Sequence, residues 1–325
     1  MTENSADTLN GVLLDRATID TGDVQFLQLE SMFGEWRSFD YTTEDKVIER
    51  IRDAQIVVSN KTVLDDAALR SAQRLRLICI AATGTNNVDL DAAEELGIPV
   101  CNVRRYATPA VIQHVFALIL ALTTRLIDYS EAVRAGRWQQ TRLFCLLDYP
   151  IRELHGKRLG IVGYGELGQG VARIANAFEM EVLVAQRPGG LPQKNRVSLE
   201  ELLPQVDVLS LHCPLTPATR SLIGTRELAM MRDDAVLINT ARGGIVDESA
   251  LVNALRQGEI GGAGIDVLTE EPPVNGSPLL DADIPNLIVT PHCAWASRET
   301  RQRLVDEVAD NIRAFLDGQP RNLLI

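Results

Sequence analysis

The chain has 325 residues, 46% of them hydrophobic and 23% charged, which excludes a disordered or collagen-like polypeptide and leaves room for two domains with a sizeable core. Thirty-two Lys and Arg against forty-four Asp and Glu leave a net charge of -12. That is the wrong sign for a protein that neutralises a nucleic-acid backbone, and no basic cluster offsets it.

The N-terminus, MTENSADTLNG, is polar and acidic and has neither the basic start nor the apolar stretch of a secretory signal. Short apolar runs then alternate with amphipathic stretches. GVLL at Gly11 to Leu14, FLQL at Phe26 to Leu29, AQIVVS at Ala54 to Ser59 and LRLICIAATG at Leu75 to Gly84 read as strands. Thr43 to Arg52 and Asp65 to Ala72 each open with a capping-type residue followed by acid and read as helices. The alternation implies a parallel sheet covered on both faces.

A long helical stretch from Thr108 to about Arg134 breaks the rhythm, and its apolar part, Val111 to Leu122, is interrupted by Gln113 and His114. It falls short of the roughly 20 residues of a spanning helix, so it reads as buried, and no membrane partner is expected. The aperiodic stretch Gly136 to Pro150 marks a junction. Beyond it the strands are cleaner: RLGIVG, EVLVA at Glu181 to Ala185, VDVLSLH at Val206 to His212, AVLINT at Ala235 to Thr240, AGID at Ala263 to Asp266 and NLIVT at Asn286 to Thr290. Six strands with intervening helices suit a doubly wound dinucleotide fold. The last helix, Arg298 to Leu316, has no strand after it and is expected to pack back onto the first half. Five scattered cysteines, Cys79, Cys101, Cys145, Cys213 and Cys293, never form a CxxC pair, which points to reduced thiols and a cytoplasmic protein.

The chemistry concentrates in the second half. LGIV runs into Gly163-Tyr-Gly165-Glu-Leu-Gly168 and a helix-forming segment. Gly163 allows a tight turn, Gly165 lets a pyrophosphate approach the backbone, and Gly168 lets helix and strand pack, with the phosphates on the helix N-terminus. Where an NAD-specific site has a carboxylate for the ribose, this chain has Gln186-Arg187-Pro188. Arg187 is available to a 2'-phosphate, so NADP is at least tolerated; equally, Gln186 binds the ribose of NAD and Arg187 is solvated.

Of four histidines, His155 reads as solvated and His114 as a satisfied core residue. His212-Cys213 and His292-Cys293 each follow a strand, yet adjacent side chains point apart and no further ligand sits at metal spacing, so no metal is expected. His292 lies where open α/β sheets place their ligand crevice, and Arg242 and Glu271 end neighbouring strands. Reduction of a 2-oxo acid needs a cation for the carboxylate, a proton donor for the carbonyl oxygen and a carboxylate beside that donor. Arg, His and Glu fill those roles.

The motifs GYGELGQGVAR, HCPLTPATRSLIG, LINTARGGIVDESAL, GAGIDVLTEEPP and TPHCAWAS resemble those of the D-isomer-specific 2-hydroxyacid dehydrogenase family, from about Gly84 to the C-terminus. The resemblance implies Arg242 on the substrate carboxylate and carbonyl, His292 as acid/base and Glu271 as its partner. It implies the Thr83 and Gly84 backbone on the carboxylate and Asp266 on the nicotinamide carboxamide. A cofactor, NAD(P)H, would also be met by Gly163, Gly165, Glu166, Leu167, Gly168, Gln186, Arg187, Cys213, Pro214, Thr219, Thr240, Ala241 and His292.

The implied fold is α/β with two doubly wound parallel-sheet domains. A Rossmann nucleotide domain, 106–296, is inserted into a flavodoxin-like substrate domain, 1–105 plus 297–325, and the two close by a hinge. Within the family the chain looks most like bacterial hydroxypyruvate reductases, also called glycerate dehydrogenases, and Trp295 beside His292 is similar to that subgroup. Another D-2-hydroxyacid dehydrogenase or a formate dehydrogenase is the nearest alternative, and a cofactor-sensing protein without activity a more distant one. Gln113 and Gln186 depart from residues that are acidic in many relatives. No regulatory domain follows Pro320, and no second basic cluster suits a phosphorylated substrate, although Arg104 and Arg105 lie near. The expected partners are a small 2-oxo acid and a second copy of the chain, the latter from the apolar helix and Phe144, Leu146 and Leu147.

Overall fold

The computed structural model describes residues 9–187, 190–191 and 193–325. The acidic N-terminus through Thr8 and Pro188 of the Gln186 motif lie outside the described residues. The chain divides into two compact units, one formed by 1–107 with 296–325 and the other by 108–295.

The first unit runs β1 (Asn10–Leu13), α1 (Leu27–Glu30), β2 (Glu35–Ser38), α2 (Glu44–Ile51), β3 (Ile56–Ser59), α3 (Asp66–Ser71), β4 (Leu77–Ile80), α4 (Leu90–Glu95) and β5 (Val100–Asn102). All five strands are parallel, in the order β2-β1-β3-β4-β5, with a crossover between β1 and β3. That is the flavodoxin-like doubly wound arrangement. Asp65 and Asp89 cap their helices, accepting from the backbone N–H of Ala68 and Ala92.

FLQL is not a strand. Phe26 and Leu29 are buried while Leu27 is 76% exposed, the three-residue spacing of one helical face, and the run belongs to the single turn α1. Sequence periodicity missed two strands: β2, EWRS, an edge strand without fully buried residues and therefore without an apolar run to betray it, and β5, VCN, which is buried but only three residues long.

The second unit opens with α5 (Thr108–Thr124), α6 (Leu126–Arg134) and α7 (Arg137–Gln140), followed by β6 (Arg158–Val162), α8 (Glu166–Ala177), β7 (Glu181–Val184), α9 (Leu199–Leu202), β8 (Val208–Leu211), α10 (Thr225–Met230), β9 (Val236–Asn239), α11 (Glu248–Gln257), β10 (Gly262–Ile265) and β11 (Leu287–Val289). The strands, again parallel, lie in the order β11-β10-β9-β8-β6-β7. An isolated bridge joins Ala185 to Val197 beyond β7. The crossover between β6 and β8 is a topological switch point, where doubly wound sheets open a crevice at the carboxyl ends of their strands.

The expected single helix from Thr108 to Arg134 is two helices, bent by 60°. Arg125 sits at φ +54°, and the hydroxyls of Thr123 and Thr124 bond back to the carbonyls of Ile119 and Leu120, which competes with the helical ladder. Among the described residues no single helix is long and apolar enough to cross a membrane. The apolar face of α5 (Val111, Val115, Phe116, Leu118, Ile119, Leu122) is buried inside this unit, packed against α8 and across β9 to β11. That face is thus used in packing within the unit. The aperiodic Gly136 to Pro150 stretch lies wholly within this unit.

The final helix, α12 (Arg298–Leu316), is capped by Ser297 and returns to the first unit. It packs against α1 and β4, and its buried Asn311 donates to the carbonyl of Asn102 at 3.0 Å.

Candidate active site

The turn between β6 and α8 carries the glycine fingerprint. Gly163 has φ +95°, and a Cβ there would lie 2.5 Å from the His212 carbonyl carbon. A Cβ on Gly168 would lie 2.3 Å from the Gly163 oxygen. Gly165, the residue that caps α8, faces open space instead. Two glycines thus permit packing and the third leaves the helix N-terminus clear for an anion. Glu166 opens that helix and accepts from Thr108 Oγ1 at 2.7 Å, and Leu167 beside it is half-buried.

Each following loop adds a wall. After β7, Gln186 donates its amide to the carbonyls of Gln193 and Arg196, both at 3.1 Å, and accepts from Gln193 N–H at 2.9 Å. Its side chain therefore fastens the loop that follows. Arg187 is exposed, and Arg196, which sequence reasoning passed over, places its guanidinium carbon 5.9 Å from the Tyr164 ring centre in the glycine turn.

After β8, half-buried His212 bonds through Nε2 to Ser210 Oγ at 2.9 Å, while its buried Nδ1 has no partner. Burial pushes its pKa down to about 4 and raises that of the Cys213 thiol, so both groups are neutral. Thr219 Oγ1 closes the same loop onto the Pro214 carbonyl at 2.6 Å. After β9, the buried Thr240 hydroxyl lacks a partner. Buried Asn239 clasps the turn beyond it, accepting from Ala241 N–H at 3.1 Å and donating to the Arg242 carbonyl at 3.0 Å. An orphaned hydroxyl at the carboxyl edge and a clear helix N-terminus are what a dinucleotide would use. The residues present fit such a cofactor.

The three charged residues singled out from sequence follow β9, β10 and β11. Gly243, next to Arg242, lies so close to the Leu268 carbonyl that a Cβ would stand 1.8 Å from its oxygen. Leu268 N–H in turn donates to Glu271 Oε1 at 2.8 Å, and Glu271 Oε2 bonds His292 Nδ1 at 2.6 Å. The three loops are thereby joined through one chain of contacts. Because a carboxylate only accepts, Nδ1 carries the proton in that bond and Nε2 is the atom that exchanges one. His292 sits at φ +50°, held there by its N–H on the carbonyls of Asp266 and Thr290. Strain in a non-glycine residue persists where its surroundings over-determine it. Arg242 is exposed, with Nη1 resting on the Ala241 carbonyl at 2.7 Å.

Asp266, 1% exposed, follows β10. His114 Nε2, an Asp266 oxygen and Cys293 Sγ lie within 4.8 Å of one another, a grouping of possible metal ligands that linear spacing does not reveal. Thr290 Oγ1 and Cys293 N–H already donate to Asp266 Oδ1, and burial together with the Asp266 charge raises the Cys293 thiol pKa. Asp266 Oδ1 is thereby occupied by two hydrogen bonds. His114, read from sequence as a satisfied core histidine, meets Thr290 Oγ1 at 3.0 Å. His155 is exposed beside Glu179 at 2.9 Å.

In the first unit, Thr83 and Gly84 follow β4. Buried Asn102 donates to the Thr83 carbonyl at 2.8 Å and accepts from Arg104 Nε at 3.2 Å.

The profile of the NAD-binding domain of D-isomer specific 2-hydroxyacid dehydrogenases matches residues 116–294, so the second unit is a nicotinamide-dinucleotide domain of an oxidoreductase. The glycerate dehydrogenase of Methylorubrum extorquens is 45% identical over 314 residues, 96% of this chain and 98% of that protein. The hydroxypyruvate reductase of Blautia hydrogenotrophica is 39% identical over 320 residues, again 96% and 98% of the two chains. Among solved structures, an acyclic imino acid reductase in complex with NADPH and D-Arg superposes with a TM-score of 0.84 at 29% identity, over 98% of this chain and all of that one. This chain belongs to the D-isomer specific 2-hydroxyacid dehydrogenase family and is an enzyme of it.

Proposed function

We propose that the enzyme reduces hydroxypyruvate to D-glycerate, and glyoxylate to glycolate, with NADH or NADPH. The observation that carries this reading is the 2.6 Å bond between His292 Nδ1 and Glu271, which leaves Nε2 to deliver a proton to a carbonyl oxygen. A bound reduced nicotinamide supplies the hydride to the carbonyl carbon. Arg242 holds the substrate carboxylate and carbonyl, the Thr83 and Gly84 backbone receives the same carboxylate, and Glu271 stabilises the charged imidazole. Asp266 accepts from the nicotinamide carboxamide. The choice of hydroxypyruvate is supported by relatives named for it at 39 and 45% identity. Residues 1–107 with 296–325 form the substrate domain in this reading.

Both cofactors are used because Gln186 is committed to its own loop while Arg187 and Arg196 leave positive charge beside the glycine turn. A cytoplasmic homodimer completes the proposal. Phe144 is 94% exposed and Leu147 78%, with Leu126, Leu143 and Ile151 exposed nearby in sequence, more apolar surface than one stretch of a monomer carries to no purpose. Light scattering should give twice the chain mass at micromolar concentration; a monomer would refute the dimer.

Initial rates with hydroxypyruvate, glyoxylate, pyruvate and 3-phosphohydroxypyruvate, each with NADH and NADPH, test the activity. Hydroxypyruvate should show the highest kcat/KM. Comparable efficiency with 3-phosphohydroxypyruvate would move the enzyme to phosphorylated substrates, because a second dianion needs its own cation.

A further inference from the structure

Asp266 is a buried carboxylate whose two oxygens are unequally occupied. Oδ1 accepts from Thr290 Oγ1 at 2.5 Å and from Cys293 N–H at 2.9 Å, whereas Oδ2 accepts one backbone hydrogen bond, from Ala294 N–H at 3.0 Å, and the Cys293 thiol, a weak donor, also lies against the carboxylate. The nearest base is His114, with Nε2 3.6 Å from Oδ1.

The direction of each bond follows from elementary chemistry. An ionised carboxylate cannot donate, so the Thr290 hydroxyl spends its only proton on Asp266. Toward His114, 3.0 Å away, the Thr290 oxygen is then an acceptor, and His114 Nε2 must carry a hydrogen. The chain His114 Nε2–H to Thr290 O–H to Asp266 Oδ1 therefore runs one way. Its first donor fixes the hydroxyl rotor, and its second, with Cys293 N–H, fills Oδ1. The remaining lone pair lies on Oδ2.

We propose that His114 is a positioning residue for the cofactor. Through Thr290 it holds Asp266 so that Oδ2 presents its free lone pair to the carboxamide N–H of the nicotinamide. The inference rests on the assignment of Asp266 to that carboxamide. His114 comes from α5, outside every loop that forms the crevice, which is why its position in the sequence suggests only packing.

The test compares the dissociation constants of NADH and of reduced 3-acetylpyridine adenine dinucleotide, in which a methyl group replaces the carboxamide nitrogen, measured by titration calorimetry on the full-length enzyme. The wild type should prefer NADH by about tenfold, the worth of one hydrogen bond to a charged acceptor. His114→Leu and the near-isosteric Thr290→Val should each abolish most of that preference while leaving the analogue's affinity within about twofold. That unchanged affinity also shows that the variants are folded. His114→Gln, whose amide nitrogen replaces the Nε2 donor, should restore the preference. Equal weakening of both dinucleotides in the Leu and Val variants would reduce His114 to a packing residue and overturn the proposal. So would an undiminished preference, or a Gln variant no better than Leu. A wild type that binds both dinucleotides equally would instead defeat the assignment of Asp266 to the carboxamide, and the proposal with it.

Discussion

At the carboxyl edge of the five-stranded sheet, buried Asp15 accepts from the N–H groups of Asn60, Lys61 and Thr62 and from the Thr62 hydroxyl, and Asn102 donates to Thr83. At the corresponding edge of the six-stranded sheet, Thr240 Oγ1 and His212 Nδ1 are buried without a partner, and His292 is held at φ +50°. Both sheets are parallel and doubly wound, so the architecture alone does not set this difference. The first edge spends its polar groups on its own loops and gains rigidity. The second withholds some of them, at a cost in stability, and so keeps binding capacity for a ligand.

The contrast is broken most severely at His292. His292→Gln removes the proposed proton donor and should lower kcat for hydroxypyruvate by about a thousandfold, with the dissociation constant of NADH changed little by calorimetry. Near-normal turnover would return the second edge to a purely structural role. On the first edge, Asp15→Ala orphans the donors that converge on the carboxylate and should cost about 3 kcal/mol in urea unfolding, again with NADH affinity intact. A cost under about 1 kcal/mol would show that this edge is not the rigid one.

His212 sharpens the comparison through pH. Its folded pKa of about 4 lies below the unfolded value of about 6.5, so the unfolded chain takes up a proton that the folded one excludes between those limits. Above pH 6.5 the residue contributes no pH dependence. From there to pH 4 it should remove stability progressively, up to about 3 kcal/mol, and below pH 4 the effect is flat. His212→Phe, which keeps the bulk and loses the proton site, should flatten the curve between pH 6.5 and 4; a slope equal to that of the wild type would exclude His212 as its source. The smallest expected effects belong to Arg187→Ala and Arg196→Ala, each raising KM for NADPH by roughly threefold to tenfold and KM for NADH less. Equal changes for both cofactors would show that neither guanidinium reads the 2'-phosphate.

Much of the second unit was legible because its chemistry follows strand ends, and buried parallel strands announce themselves as apolar runs. All six expected strands there form, and Arg242, Glu271 and His292 fall in consecutive loops. What was hidden had no linear signature. β2 is an edge strand with polar and aromatic residues, and the bend at Arg125 depends on two threonine hydroxyls. The bond between His114 and Thr290 spans 176 positions, a distance over which periodicity carries no information. Gln186 was recognised as unusual, but its attachment to Gln193 and Arg196 became visible only once the loop was folded.

The return of α12 to the first unit sets the order in which the polypeptide can mature on the ribosome. Residues 108–295 are contiguous, so that unit has its whole sequence as soon as its last strand is synthesised. The first unit begins earlier and finishes later. Leu304, Val308 and Ile312, all buried, must emerge before its core can close, and Asn311 must arrive before Asn102, the residue beneath Thr83, gains its support. A chain truncated after residue 295 and released from the ribosome should therefore protect the nucleotide unit against protease while the first unit stays open, so that the dinucleotide-binding unit can be assembled before the first unit closes.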